Sequence, residues 1–461
     1  MRCLLLIWLL LCSTATLALD RLQAQGYLLP NGLQLLLKPG YDKGHVSIRL
    51  VVGVGFDDFP CDQKEVPHLL EHLMFTGLDE SGEGGLEARM QALGGEWNAF
   101  TSNADTTFVI EAPARNQRQV LELLAQIIAH TEATPQAFDA VKRIVAHEDG
   151  GHASRLQRLL DRHEAGNGAR SQLAAELGLK CAQRPDVDDV SLEHLEDALA
   201  AWYAPNNMTL IVVGDLDKLL PAYIERTFGR LTATEPIEHP PLPTAQGSAE
   251  PRRVLTHGFL GEASRLHMIY PEPSLDEPSD DTWELLRAYL DWALYSELRL
   301  KLGLSYGPAA NREVFGDTSL LSLDADVDRS DLPQAEQALY SMLDRLKRDG
   351  LDKATFERLR QAAVARQAWA VQGNSALADY YWGALNDYED GRFADPAKRI
   401  QAVSLEDANH ALRQLLAQPG YVRIQQPLFS YDDLYWLALA GAGAVILLLV
   451  GWWRYRRDRA L

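Results

Sequence analysis

Cysteine is scarce in this chain: four among 461 residues, at Cys3, Cys12, Cys61 and Cys181. The first two fall inside an N-terminal leader, and the two that remain are too few for a disulfide scaffold. Neither has a second thiol nearby, which excludes a cysteine-built zinc ribbon. The sequence leaves open whether Cys61 and Cys181 pair. Positive charge is also short. Lys and Arg number 44 against 64 Asp and Glu, a formal charge of −20 and a pI near 5.0. That argues against a nucleic-acid partner, which needs a basic face. Long apolar runs are missing from the body of the chain and occur only at its two ends.

At the N-terminus, Arg2, an apolar run over 4–11 and small residues at Ser13 to Ala18 read as a secretory signal peptide, residues 1–19. At the C-terminus, 434–453 is a stretch of about 20 uncharged residues, enough to span a bilayer. Tyr435 and Trp436 sit at one of its ends and Trp452 and Trp453 at the other, as expected at membrane interfaces. Arg454, Arg456, Arg457 and Arg459 follow, so the tail 454–461 is expected to be cytoplasmic. Leader and anchor agree on one topology. They place an extracytoplasmic, periplasmic body in the cell envelope, held to the inner membrane by a C-terminal helix.

Between the ends, turn residues and hydrophobic periodicity mark alternating elements. Residues 27–37 read as a hairpin around Asn31-Gly32, 46–53 as a strand, and 208–214 as a buried strand. Gly94-Gly95 caps a helix. Helices are predicted over 117–130, 135–148 and 191–202. Residues 232–251 hold Pro236, Pro240, Pro241, Pro243 and Pro251 and read as a linker. After it the order repeats loosely: strand 266–270, helix 281–302, strand 319–327, helices 332–348 and 353–372. The reading is an α+β chain of two similar halves, 20–232 and 253–425, joined by a Pro-rich linker at 233–252.

Histidine numbers only 12, yet two fall in His68-Leu69-Leu70-Glu71-His72. On a helix His68 and His72 share one face and suit a single metal ion, with Glu71 beside them. Leu69, Leu70, Leu73, Met74 and Phe75 make that helix mostly buried, and buried polar groups need partners; a metal supplies them. A carboxylate at Glu71 suits taking a proton from a metal-bound water.

The H-x-x-E-H order within Pro67 to Gly77 resembles the pitrilysin/insulinase family of zinc peptidases, the inverzincins. Leu29-Pro30-Asn31-Gly32-Leu33, Gly94 to Thr101, and Tyr203 to Asp215 resemble further landmarks of that family, in order. The resemblance implies two α/β-sandwich halves forming a bowl, one Zn2+ per chain, and unfolded peptides as substrates. It implies that Glu148 is the third zinc ligand beside His68 and His72; local chemistry alone leaves His147, Asp149 and Glu164 as rivals. It implies that a peptide adds as a strand near Asn98 and Ala99. Arg299 and Tyr306, in Glu297 to Gly307, match the family's Arg and Tyr that face the substrate backbone and oxyanion, so with Glu71 they form the expected catalytic set. Val141 stands where many members carry a second Glu, and Asp139 is a poor substitute; metal binding is still expected. Because one chain carries both elements, a self-sufficient protomer or homodimer is favoured, with pairing to a related subunit left open. The alternative is a weak or silent member that binds peptides or serves as a structural subunit.

Overall fold

A computed structural model describes residues 20–76, 83–150, 168–182, 186–273 and 279–459; the signal-peptide reading at 1–19 lies outside them. The chain forms two compact units. The first comprises the described residues of Met1–Gly151, Pro185–Pro240 and Arg366–Pro396, and the second those of His152–Arg184, Pro241–Ala365 and Ala397–Leu461.

The first unit is built on six strands: β1 (Gln25–Leu28), β2 (Gln34–Pro39), β3 (His45–Val52), β4 (Glu96–Thr101), β5 (Thr106–Pro113) and β6 (Met208–Gly214). They run in the order β1-β2-β6-β3-β5-β4. β1 and β2 are the hairpin read around Asn31-Gly32, with Leu28 opposite Gln34; Gly32 takes φ +86°, which a side chain disfavours. β2 and β6 are parallel, and β6, β3, β5 and β4 follow antiparallel. The central strands β3 and β6 are buried almost throughout, as strands covered on both faces are. One face, with Leu35, Leu37, Ile48, Leu50, Leu210 and Val212, packs against helices α1 (Val66–Thr76), α2 (Glu83–Ala92), α3 (Gln117–His130) and α4 (Pro135–Gly150). The other face, with Leu36, Val51, Ile211 and Val213, packs against Leu377, Ala378 and Tyr381 of the helix Gly373–Gly383.

The second unit repeats this path. Its strands are β7 (Arg252–Thr256), β8 (Ala263–Pro271), β9 (Ala309–Phe315), β10 (Thr318–Asp328) and β13 (Tyr421–Gln426); a small ribbon, β11 (Tyr388–Glu389) with β12 (Arg392–Phe393), belongs to the first unit. The order β7-β13-β8-β10-β9 matches β2-β6-β3-β5-β4 strand for strand, including one parallel pair, β7 with β13. Helices Asp280–Leu294, Leu332–Asp349 and Leu405–Leu415 cover one face. Ala169, Leu173 and Ala174 of the helix Ala169–Glu176 cover the other, against Leu255, Ile269 and Leu320.

Each unit therefore takes in a segment that the sequence reading assigned to the other half: 366–396 in the first, 168–182 in the second. Periodicity shows which side of a helix is apolar, but not which sheet that side will cover. A fully buried arginine fastens each exchanged helix. Arg49 on β3 donates to Asp379 (2.7 Å), to the Ser375 hydroxyl (2.9 Å) and to Glu111 (3.0 Å). Arg423 on β13 binds Gln172 and Glu176.

The stretch from Gly229 to Pro251 holds no helix or strand, in keeping with its prolines. Two helix ends differ from the periodicity. The first helix after β8 ends at Leu294 and widens into π turns over Tyr295–Lys301, and the helix from Lys353 stops at Gln367 rather than 372. Cys61 and Cys181, whose state the sequence left open, are both disulfide-bonded. The C-terminal helix runs unbroken over Tyr431–Asp458, and none of its apolar stretch is buried.

Candidate metal centre

Helix α1 begins at Val66 with Pro67 just inside it, where a missing N–H costs nothing. Leu69, Leu70, Leu73 and Met74 face the core. With that face fixed, His68 and His72 are left on a common side, their rings 5.1 Å apart. Helix α4 packs along α1 with Val141 and Val145 in the core, and its last turn brings in Glu148. Glu148 Oε2 lies 3.3 Å from His68 Nε2 and 3.4 Å from His72 Nε2. All three donor atoms fall within 4.8 Å of one another. Among the described residues this is the one such His, Cys, Asp and Glu cluster.

The donors fit zinc. Ligands of a tetrahedral zinc at 2.0–2.1 Å stand about 3.4 Å apart, close to both separations from Glu148. His72 Nε2 is buried and has no hydrogen-bond partner among the described residues, a costly state for a polar atom unless something else binds it. His68 Nδ1 lies 3.3 Å from Glu65 Oε2, so the carboxylate fixes the ring and leaves Nε2 for the cluster, as second-layer carboxylates do at metal sites. Burial works against a charge on His68, but Glu65, Glu71 and Glu148 outweigh it and raise its pKa above the usual imidazole value.

Glu71 is 8% exposed and is held from the sheet. Thr101, at the end of β4, donates its hydroxyl to Glu71 Oε2 at 2.6 Å. Thr106 Oγ1 lies 3.5 Å from that hydroxyl and donates to the Val54 carbonyl at 2.9 Å. Tyr203 is buried close by; burial first, and then the charge of Glu71, pushes its hydroxyl pKa up. The sequence reading named Thr101 only as part of a motif and missed its bond to Glu71. Its signal is positional, since Asn98, Ala99 and Thr101 share one short strand.

β4 is the edge of its sheet. The Ala99 N–H donates to its neighbour's side chain, Asn98 Oδ1, at 2.9 Å, so it is not spent on the ladder with β5. Gly94 at φ +68° closes the turn into this strand from α2, donating to the Gln91 carbonyl.

Val141, where a second Glu was looked for, is fully buried in the core, while Asp139 is exposed. His147, the local rival for the third ligand, is exposed and outside the cluster; the Asp149 side chain and Glu164 lie outside what the structure describes. In the second unit, Arg299 and Tyr306 are brought together. The Arg299 guanidinium lies 4.3 Å from the centre of the Tyr306 ring and donates to the Tyr306 carbonyl at 2.6 Å. Tyr306 itself is 78% exposed. Asp326 staples its loop, accepting from the Ser305 hydroxyl and, at 2.8 Å, from the Gly307 N–H.

Two family profiles match the chain: one described as insulinase (peptidase family M16) over residues 40–176, and one described as the peptidase M16 inactive domain over 189–363. The probable zinc protease PqqL of Haemophilus influenzae is 30% identical over 200 residues, 41% of this chain and 21% of that protein. The uncharacterized zinc protease YmxG of Bacillus subtilis is 21% identical over 412 residues, 87% of this chain and 98% of that one. Among solved structures, the periplasmic protease PqqL from Escherichia coli superposes with a TM-score of 0.71 at 20% identity, covering 87% of this chain and 47% of its own. The likeness is one of fold, and this chain spans about half of that longer protein.

Proposed function

From a chain that belongs to the insulinase (pitrilysin, M16) family of peptidases, we propose a zinc endopeptidase of the cell envelope that hydrolyses unfolded peptides. The observation that carries this reading is the convergence of His68, His72 and Glu148 with Glu71 fastened beside them. His68, His72 and Glu148 would hold one Zn2+. Zinc held there supplies Lewis acidity, which polarises a carbonyl and makes water reactive near neutral pH.

The protein's own part follows from its donors and acceptors. Glu71 accepts a proton from the attacking water and returns it to the leaving amine. Thr101 keeps that carboxylate in one position. The free edge of β4, with Asn98 and the outward N–H of Ala99, suits pairing with an extended peptide, which grips backbone and reads little sequence. Arg299 and Tyr306 offer a cation and a hydroxyl suited to developing negative charge, and in this reading they serve the same peptide.

The exposed apolar helix at the C-terminus supports a membrane anchor over 434–453, with the body outside the cytoplasm and 454–461 inside. A protomer carrying both elements supports self-sufficiency or a homodimer rather than an obligate unlike pair.

The test is cleavage of a mixture of internally quenched peptides by the full chain in detergent, beside Glu71→Gln, with and without chelator. Cleavage lost in Glu71→Gln and on chelation is expected. A wild type that holds zinc yet cuts nothing would replace this reading with a silent, peptide-binding member of the family, and would turn attention to Val141.

A further inference from the structure

The joint between the second unit and the C-terminal helix is built as a rigid elbow. Ser430 caps the helix, its hydroxyl accepting from the Asp433 N–H at 3.0 Å, and Asp433 Oδ2 accepts the Ser430 N–H at 2.9 Å. The Tyr431 N–H, free of any bond inside the helix, donates to Glu262 at 2.7 Å. Arg329 pairs with Asp433 at 3.2 Å. The segment before the cap is tied to the loop 257–261 by three backbone bonds: Leu428 N–H to Gly258, Phe429 N–H to Phe259, and Gly261 N–H to Phe429. Phe259 and Phe429 stack edge to face at 5.4 Å. A tether meant only to keep the body near a surface has no need of these contacts.

What the elbow presents is apolar. Phe259 is 55% exposed, Leu260 39% and Leu428 46%, with Tyr431, Tyr435 and Trp436 exposed just beyond. Grouped exposed apolar side chains of this size mark a contact surface. The place of this group names its occupant. If the apolar run enters the hydrocarbon near Leu434, Tyr431 lies only about 5 Å above it, at 1.5 Å per helical residue. The headgroup layer on each side of a bilayer is about 5–8 Å deep. Leu428 and the loop bonded to it therefore sit at the level of that layer, where aromatic and large apolar side chains partition favourably.

We infer that Phe259, Leu260 and Leu428 form a membrane-docking collar, dipping into the outer face of the same bilayer that the helix crosses and fixing the second unit against the lipid surface. The inference rests on the anchor reading given above, and the experiment separates the two.

The full chain is reconstituted in phosphatidylcholine vesicles with an environment-sensitive fluorophore on one introduced cysteine, in four variants: Leu260→Cys, Leu428→Cys, Leu447→Cys in mid-helix, and Asp349→Cys at an exposed polar site. Vesicles carry bromine either near the headgroup end of the acyl chain or near the midplane. The expected result is quenching of the labels at 260 and 428 by the shallow bromines, of the label at 447 by the deep ones, and of the label at 349 by neither. Quenching at 447 with none at 260 and 428 would leave the anchor standing and overturn the collar. No quenching at 447 would overturn both. The replaced leucines are exposed, so a folding defect is not expected. A melting temperature equal to wild type checks this, and the label at 428 gives an independent reading should Leu260→Cys melt lower.

Discussion

Replacing Thr101 by Val removes one hydroxyl and keeps the shape of a β-branched side chain on a strand, where Val is at home. What is lost is the 2.6 Å bond to Glu71. A hydrogen bond to a charged group contributes about 1.5–3 kcal/mol. If that bond serves mainly to hold the carboxylate where the water will be, the loss falls on the reaction barrier. At about 1.4 kcal/mol per tenfold, kcat should fall roughly 10- to 150-fold. If the peptide is gripped at the strand edge, as proposed above, rather than by this hydroxyl, KM should stay within about twofold. Thr101→Ser, which keeps the donor, should recover most of the rate. The assay is steady-state cleavage of one quenched peptide by the full chain, with zinc content measured for each variant. The reasoning is refuted if Thr101→Val, loaded with zinc, keeps kcat within twofold of wild type while Glu71→Gln is inactive. It is equally refuted if the Val and Ser variants lose the same amount.

Other expectations follow from the same geometry. Zinc at 100 to 1,000 times its dissociation constant should stabilise the fold by about 3–4 kcal/mol, read as a rise in melting temperature that chelator reverses and His72→Ala abolishes. Arg49→Ala should cost about 3 kcal/mol by denaturant titration, the low end for breaking a buried pair because Asp379 is half exposed; a change under 1 kcal/mol would show that the arginine is not what fastens the helix Gly373–Gly383. In the second unit, burial raises the Asp324 carboxyl, but bonds to His267, Asn311 and Arg170 outweigh it, and its pKa lies below the ordinary 3.8. A depressed carboxylate stabilises the fold fully above its unfolded value, and that contribution is lost as pH falls through the lower folded value. Stability should therefore drop below about pH 3.8, and Asp324→Asn should flatten that drop; an unchanged acid limb in the variant would count against the assignment.

Much of the scaffold was legible because it rests on short-range rules. The β1–β2 hairpin follows from Asn31-Gly32, the end of α2 from Gly94, and β6 from an apolar run, and each lies within a residue or two of where the pattern puts it. The pair His68 and His72 is legible for the same reason, since spacing on one helix is local. Glu148 is not. It lies 76 positions beyond His72, and only the family resemblance chose it over its neighbours before the structure set it beside the histidines. Polar strands such as β9 escaped the reading because Asn311, Arg312 and Glu313 break the apolar run. The π turns at Tyr295–Lys301 and the bond from Thr101 to Glu71 escaped because neither has a periodic signature. The path of 168–182 and 366–396 escaped because a helix carries no record of the sheet it will cover.

That exchanged pair of helices also sets a clock on biosynthesis. The back of the first sheet, with Leu36, Val51, Ile211 and Val213, can be laid down once β6 has been made, but its cover is the helix Gly373–Gly383. Roughly 160 residues separate the two along the chain, and at about 5–20 residues per second of synthesis the wait is on the order of ten to thirty seconds. During that interval an apolar slab stands ready to stick to whatever passes. Any truncation ahead of residue 373 leaves the back of the first sheet without its cover.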